Sequence, residues 1–189
     1  HDYTPFTKDQ GNELIYDLSY ALAEKNYKIL SGFGLGVGSM VINGALKYKL
    51  NSNYRNLDDL LILRPFPQIQ SDTKNRREIL TEYRTDMISK AGIAIFIFGN
   101  KQVDDKLVDS DGMEEEFEIC LKEGVIPIPI GVTGSISKKL WNRVISNLEQ
   151  FYPDNRDLHN AIKELGREGI SKNDIITNTI KAVNILKKL

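Results

Sequence analysis

The chain has 189 residues, 41% hydrophobic and 27% charged, the size and balance of one ordinary globular domain. Lys and Arg total 25 against 26 Asp and Glu, so the formal net charge of −1 lacks the basic excess that nucleic acid or an anionic membrane surface calls for. A single cysteine, Cys120, excludes an intrachain disulfide framework and a multi-cysteine zinc site, and no apolar run reaches the roughly 20 residues of a membrane span.

No leader pattern opens the chain, and the compartment is read as cytoplasmic. The sequence starts at His1 rather than Met and is read as a piece of a longer protein. It carries no linker tract, repeat or low-complexity block, so residues 1–189 are taken as one domain.

The first segment predicts a helix capped by Thr7, with Leu14, Leu18, Ala21 and Leu22 at helical spacing. Tyr27-Lys-Ile-Leu30 reads as a short strand that runs into Ser31-Gly-Phe-Gly-Leu-Gly-Val-Gly-Ser39, where four of the chain's 14 glycines fall. Val37 to Leu50 then carries a helical apolar stripe of Val41, Ile42, Ala45 and Leu46. Leu60 to Leu63 is a second strand, ended by Arg64-Pro65-Phe66-Pro67, whose prolines forbid helix.

Asp72 opens a long helix to about Lys90, with Leu80, Tyr83, Met87 and Ala91 on its buried stripe. Ile93-Ala-Ile-Phe-Ile-Phe98 has the continuous apolar character of a central parallel strand covered on both faces. Gly99-Asn-Lys101 ends it, and a polar, acidic loop to Asp111 follows. Met113 to Glu123 predicts a helix, and Val125 to Ile130 a strand whose Pro127 and Pro129 point to an edge position or irregular pairing. Helices over about 137–150, 155–166 and 172–188 complete the chain. Alternating strands and helices predict an α/β class with a parallel sheet, flanked by helices and followed by C-terminal helices.

In such sheets ligands bind outside the carboxyl ends of the strands, which here supply residues 31–39, Arg64-Pro-Phe66, Gly99-Asn-Lys101 and Gly131-Val-Thr133. The glycine stretch follows a strand and opens a helix, so bare backbone N–H groups and the positive helix end together suit phosphate or pyrophosphate. It is neither a strict GxGxxG nor a P-loop, which disfavours standard NAD binding and NTPase chemistry. A tight turn without ligand is the competing reading. Arg84 borders an apolar stripe and its fork suits phosphate oxygens, while an ion pair with Glu82 or Glu78 competes. Lys101 reads equally as a point charge for phosphate and as an ordinary loop lysine.

Glu114-Glu-Glu-Phe-Glu118 satisfies a helix dipole, and its carboxylates project about 100° apart. Glu116 stands i, i+4 from Cys120 and Glu115 from Ile119, and either spacing turns one carboxylate inward to accept from ribose hydroxyls or an adenine amino group. His159 has no second ligand at metal spacing, and Cys120 follows acidic residues that raise its pKa, so both read as structural. Trp141, Phe151 and Tyr152 read as packing groups.

The order strand, SGFGLGVGS, helix, followed by Arg84-Thr-Asp-Met87 before a buried strand and by Gly112-Met-Glu-Glu-Glu116, resembles the SLOG superfamily. These are Rossmann-like domains related to Smf/DprA and LOG proteins. Within the superfamily the chain is most similar to the C-terminal sensor domains of Thoeris antiphage effectors. The resemblance covers essentially the whole chain, with the glycine stretch its most specific part. In LOG enzymes an arginine before the strand and a glutamate in a GGxGTxxE motif act on a nucleoside monophosphate and release its base. Arg84 and Glu116 occupy roughly those places, but GGxGT is absent and a longer polar loop separates Gly99-Asn-Lys101 from Gly112.

The sensor resemblance implies a signalling ligand, a cyclic ADP-ribose isomer made by a partner TIR-domain protein, with no cofactor, metal or catalytic residue in this domain. It also implies an N-terminal sirtuin-like NADase domain that the ligand activates, and a homodimer or larger homo-oligomer. On this reading the pyrophosphate lies on the 32–38 loop, with Ser31, Gly32, Phe33, Gly34, Leu35 and Gly36 as binding residues and Arg84 and Lys101 neutralising its charge. Glu116 takes a ribose or base edge, Phe33, Leu35 or Phe66 faces adenine, and Arg64 and Gly99 complete the binding residues. The rival readings are a LOG-like N-glycosidase with Glu116 as acid/base, and a nucleic-acid module of the Smf/DprA sort, which the near-neutral charge opposes.

Overall fold

Short parallel strands flanked by helices organise the chain, so the α/β class read from the sequence holds. A computed structural model describes residues 3–34, 36–52, 56–67, 75–104 and 106–188. The chain divides into two compact units, Asp9–Ala91 and Gly92–Leu189 with His1–Lys8.

In Asp9–Ala91, helix α1 (Lys8–Glu24) starts directly after Thr7 and buries Leu14, Ile15, Leu18 and Leu22 on one face, while Ala21 is only half-buried. Strand β1 (Ile29–Ser31) leads through the glycine stretch into α2 (Gly38–Asn51), which buries Val41 and Ala45. The two helices approach closely at Gly44, where an added Cβ would stand 2.3 Å from the Tyr16 carbonyl and 2.9 Å from Ser19 Cβ. A 3₁₀ turn, Leu57–Asp59, precedes β2 (Leu61–Leu63), which pairs parallel to β1 with Ile29 opposite Leu61 and Ser31 opposite Leu63. Helix α3 (Arg76–Ile88) follows; the expected start at Asp72 lies outside the described residues. Its expected stripe of Leu80, Tyr83 and Met87 is half-buried, and Ile88 is the residue of α3 that is buried.

In the other unit, β3 (Ile93–Phe96) is shorter than the six apolar residues predicted. Phe98 and Gly99 adopt φ of +59° and +107°, and the Phe98 amide donates to Thr133 Oγ1 at 2.8 Å instead of continuing a ladder. The rings of Tyr3 and Phe6 meet Phe98 edge-on, at 4.8 and 6.0 Å between centroids, which fixes the N-terminal segment. The expected polar loop is an antiparallel hairpin of β4 (Asn100–Val103) and β5 (Lys106–Asp109). Asp104, at φ +47°, supplies a left-handed turn residue, a conformation that Asp tolerates.

Ser110 then caps α4 (Asp111–Glu123), and Gly124 ends it at φ +71°. Strand β6 (Ile126–Pro129) lies parallel to β3, its partner among the described residues. Ile126 and Ile130 donate to the Gly92 and Phe96 carbonyls at 3.0 and 2.9 Å. Alternate residues face the partner in a parallel ladder, so Pro127 and Pro129 point away from β3, where the missing donors cost nothing. Tyr152 Oη donates to the outward Pro127 carbonyl at 2.5 Å.

The predicted helix over 137–150 is two helices, α5 (Ser135–Ile145) and α6 (Leu148–Phe151). Asn147 breaks it by leaving the helical region, at φ −140°, with its side chain donating back to the Arg143 carbonyl at 3.1 Å. Helices α7 (Arg156–Glu164) and α8 (Lys172–Leu186) pack through Leu158, Ala161 and Ile162 on one and Ile175, Ala182 and Val183 on the other. Among the described residues no helix is long and apolar enough to cross a membrane.

Trp141 locks this unit. Its Nε1 donates to the Ile162 carbonyl at 2.7 Å, and its indole covers Gly131 and Gly166, where added Cβ atoms would fall 2.5 and 2.1 Å from ring atoms. Gly166→Ala is therefore expected to destabilise the fold by about 1–3 kcal/mol through overpacking. Urea unfolding measures this, and an unchanged midpoint would contradict the close approach.

Candidate functional site

The sequence from β1 to α2 builds a loop out of bare backbone. Ser31 ends β1; its carbonyl accepts from the Arg64 amide at 2.8 Å, and its Oγ accepts from the Phe33 amide at 3.2 Å. That local bond accompanies a left-handed Phe33, at φ +53°, whose ring remains 46% exposed. A non-glycine residue in that region costs roughly 1 kcal/mol or more.

The glycines of the loop differ in what their neighbours require. A Cβ on Gly32 would stand 2.7 Å from Phe66 Cε2 and 3.3 Å from Met87 Sδ, so only glycine lets this ring lie on the chain. A Cβ on Gly38 would collide with the Phe33 backbone at 2.7 Å, and Gly36 takes φ +81°. At Gly34 neither demand applies among the described residues: none of them lies within 4 Å of an added Cβ, and its φ is not positive. The Gly34 carbonyl accepts from the Val37 and Gly38 amides at 3.2 and 2.8 Å, so the loop supplies part of the cap that α2 lacks from side chains. Leu35 lies outside the described residues.

The segment leaving β2 and the half-buried side of α3 meet this loop. Phe66, half-buried, touches Gly32 on one side and lies 5.3 Å from the Tyr83 ring on another. The Arg84 guanidinium sits over Phe66, 5.2 Å from the ring centroid, in cation–π geometry. The structure thus brings Ser31, Gly32, Phe33, Arg64, Phe66 and Arg84 together within one unit.

Sequence reasoning missed two further charges beside them. Asp86 Oδ2 accepts from Arg64 Nη1 at 3.1 Å, and Asp86 Oδ1 accepts from Lys90 Nζ. The Lys90 hydrogen bond and then the charges of Lys90 and Arg64 hold the Asp86 carboxyl below its ordinary range. The Asp86–Lys90 spacing is i, i+4 on a predicted helix and was readable; the partnership with Arg64 depends on where β2 ends.

Three expected site residues belong to the other unit. Gly99 closes the hairpin: its carbonyl accepts from Ser110 at 2.9 Å, and an added Cβ would stand 2.5 Å from Met113 Sδ and 2.9 Å from Ile136 Cβ. Packing and its positive φ thus account for this glycine. Lys101 Nζ donates to Asp111 Oδ1 at 2.5 Å, and that bond is the main cause of a lowered Asp111 carboxyl pKa. Glu116, half-buried on α4, stands near Cys120 as its spacing predicted. Cys120 is buried, and burial first, with the Glu116 charge second, pushes its thiol up to about 12.

His159 is buried with Nε2 2.6 Å from the Tyr152 carbonyl oxygen. Among the described residues no group of three His, Cys, Asp or Glu side chains is placed to hold a metal ion. A thiol held protonated and buried should react with disulfide reagents at pH 8 more than about a hundredfold more slowly in the native chain than in urea. Similar rates in the two states would contradict the burial of Cys120.

Comparison with known proteins places these features in one lineage. The model of the Sir2- and TIR-associating SLOG family matches residues 1–188. The NAD(+) hydrolase ThsA of Cytobacillus dafuensis is 41% identical over 188 residues, covering 98% of this chain and 38% of that protein. The NAD(+) hydrolase ThsA of Bacillus cereus is 39% identical over 187 residues, with the same two coverages of 98% and 38%. That of Enterococcus faecium is 38% identical over 170 residues, 89% of this chain and 34% of its own. The chain thus spans little more than a third of the length of the curated relatives it matches. With a glycine-loop entry to α2 and a family model matched from end to end, the chain belongs to the Sir2- and TIR-associating SLOG family.

Proposed function

We propose that this chain is a ligand-sensing regulatory domain that binds a cyclic ADP-ribose isomer and, in a longer protein, controls an NAD(+)-hydrolysing part. The observation that carries the reading is Gly34. Among the described residues neither close packing nor a positive φ calls for glycine there, whereas a ligand that must touch bare backbone does. Phe33 supports it, because an aromatic residue held at positive φ and still 46% exposed offers a ring face for adenine. Arg84 supports it too: a guanidinium laid on Phe66 is pre-positioned beside the loop and carries a fork that matches diphosphate oxygens.

The diphosphate rests on the 32–36 backbone, with Arg84 and Arg64 as its cations and Phe33 against the base. Lys101 and Glu116 enter the proposal through the SLOG resemblance, as a phosphate cation and a ribose or base acceptor. The relatives named NAD(+) hydrolase ThsA support an NAD-hydrolysing partner segment, and the family's description supports a TIR-domain protein as the source of the signal. Ligand binding activates by favouring one arrangement of a homodimer or larger homo-oligomer over another, since a ligand shifts only an equilibrium whose states it binds unequally. Cytoplasmic residence belongs to the same proposal.

Calorimetric titration with cyclic ADP-ribose isomers is expected to show saturable binding, and no heat at millimolar ligand would reject the reading. Arg84→Ala is expected to weaken binding at least about tenfold, because a charge-assisted contact to phosphate is lost. Unchanged affinity would remove Arg84 from the site. Incubation with nucleoside monophosphates is expected to release no free base; release that disappears in Glu116→Gln would make the domain an N-glycosidase instead.

A further inference from the structure

The charges beside the glycine loop are arranged unequally. Arg64 comes from the end of β2, where its amide donates to the Ser31 carbonyl at 2.8 Å and fixes it at the loop's first residue. Its guanidinium reaches one oxygen of Asp86, at 3.1 Å. The other oxygen of Asp86 is held by Lys90, one helical turn along α3, whose ammonium also donates to the Asp86 carbonyl at 2.8 Å. One bond can therefore break while the other stays. Side-chain exposures of 38% for Arg64, 53% for Asp86 and 43% for Lys90 place the group in water, where ion pairs are weak and exchange readily.

We propose that Asp86 sets the affinity of the glycine-loop face: it is an internal carboxylate that occupies Arg64 until a ligand diphosphate replaces it, while Lys90 retains the displaced carboxylate. The inference rests on the reading of that face as a diphosphate site. An incoming anion must compensate Arg64 for a full negative charge it already has. An anion of low charge gains little by the exchange. A diphosphate brings several oxygens to a guanidinium that Asp86 meets through a single one, so it gains both charge and a second hydrogen bond. Asp86 thereby sets a common cost, which only an anion with enough charge and oxygens repays at low concentration, without itself touching the ligand.

The test uses the 189-residue chain and its Asp86→Asn variant, titrated with inorganic pyrophosphate and with orthophosphate at fixed ionic strength and followed by amide chemical shifts. Asp86→Asn is expected to bind pyrophosphate about threefold to tenfold more tightly and orthophosphate by no larger a factor, because the displacement cost removed is the same for both. A tighter complex cannot arise from damage to the fold. In an Arg64→Gln background the gain should vanish, which separates displacement from a general loss of negative charge. Unchanged or weaker pyrophosphate binding in Asp86→Asn, no binding by either protein, or a gain that persists without Arg64 would overturn the proposal. If cyclic ADP-ribose isomers fail to bind while the pyrophosphate gain remains, the nucleotide reading falls and the role of Asp86 stands.

Discussion

The edge of the Phe66 ring resting on the side-chain-free Gly32 backbone is the contact from which the rest of the glycine-loop unit takes its form. It joins the exits of two parallel strands that are only three residues long and hold each other through few ladder bonds. It brings the chain after β2 down beside the loop, and it seats Tyr83 and Arg84 of α3 against the far side of the same ring. A methyl group at Gly32 would push the ring away, and Arg84 would lose the surface that orients it. Packing and the proposed ligand site therefore draw on one contact.

That contact divides the work among the loop glycines. Gly32 and Gly38 are there for neighbours within the protein, and Gly36 for its backbone conformation. At Gly34 none of the described residues makes such a demand, and it lies beside the left-handed, half-exposed Phe33. Charge has a secondary part. The ion pairs on this face are half-exposed and screened, so in the proposed site backbone approach and aromatic contact carry more of the binding than the cations do. In the other unit, Trp141 over Gly131 and Gly166 uses glycine for packing alone, which shows why a glycine by itself says little about ligands.

Much of this was legible in the sequence because it is local. The helical stripes of α1 and α2, the strand entering the glycine stretch and the outward prolines of β6 follow from periodicity and from the absence of a proline N–H. The boundaries that moved depend on partners distant in sequence. Strand β3 stops at Phe96 because Thr133 Oγ1 captures the Phe98 amide, and no local pattern announces that acceptor. The hairpin of β4 and β5 was hidden because its turn carries Asp104 rather than an Asn-Gly pair, within a stretch whose charge reads as loop. The break between α5 and α6 turns on one asparagine side chain bonding back to its own helix. At the site, the glycines and Arg84 stood out by composition and spacing. The difference between Gly32 and Gly34 did not, because it depends on where Phe66 lies, and the pairing of Arg64 with Asp86 awaited the position of β2 beside α3.

The most direct measurement is the backbone amide spectrum of the chain titrated with a cyclic ADP-ribose isomer. The account predicts that the Gly34 amide shifts most among the loop glycines, with the Arg84 side-chain Nε–H moving in step, while the Gly131 and Gly166 amides stay in place. A saturating ligand that leaves Gly34 and Arg84 unmoved would contradict it.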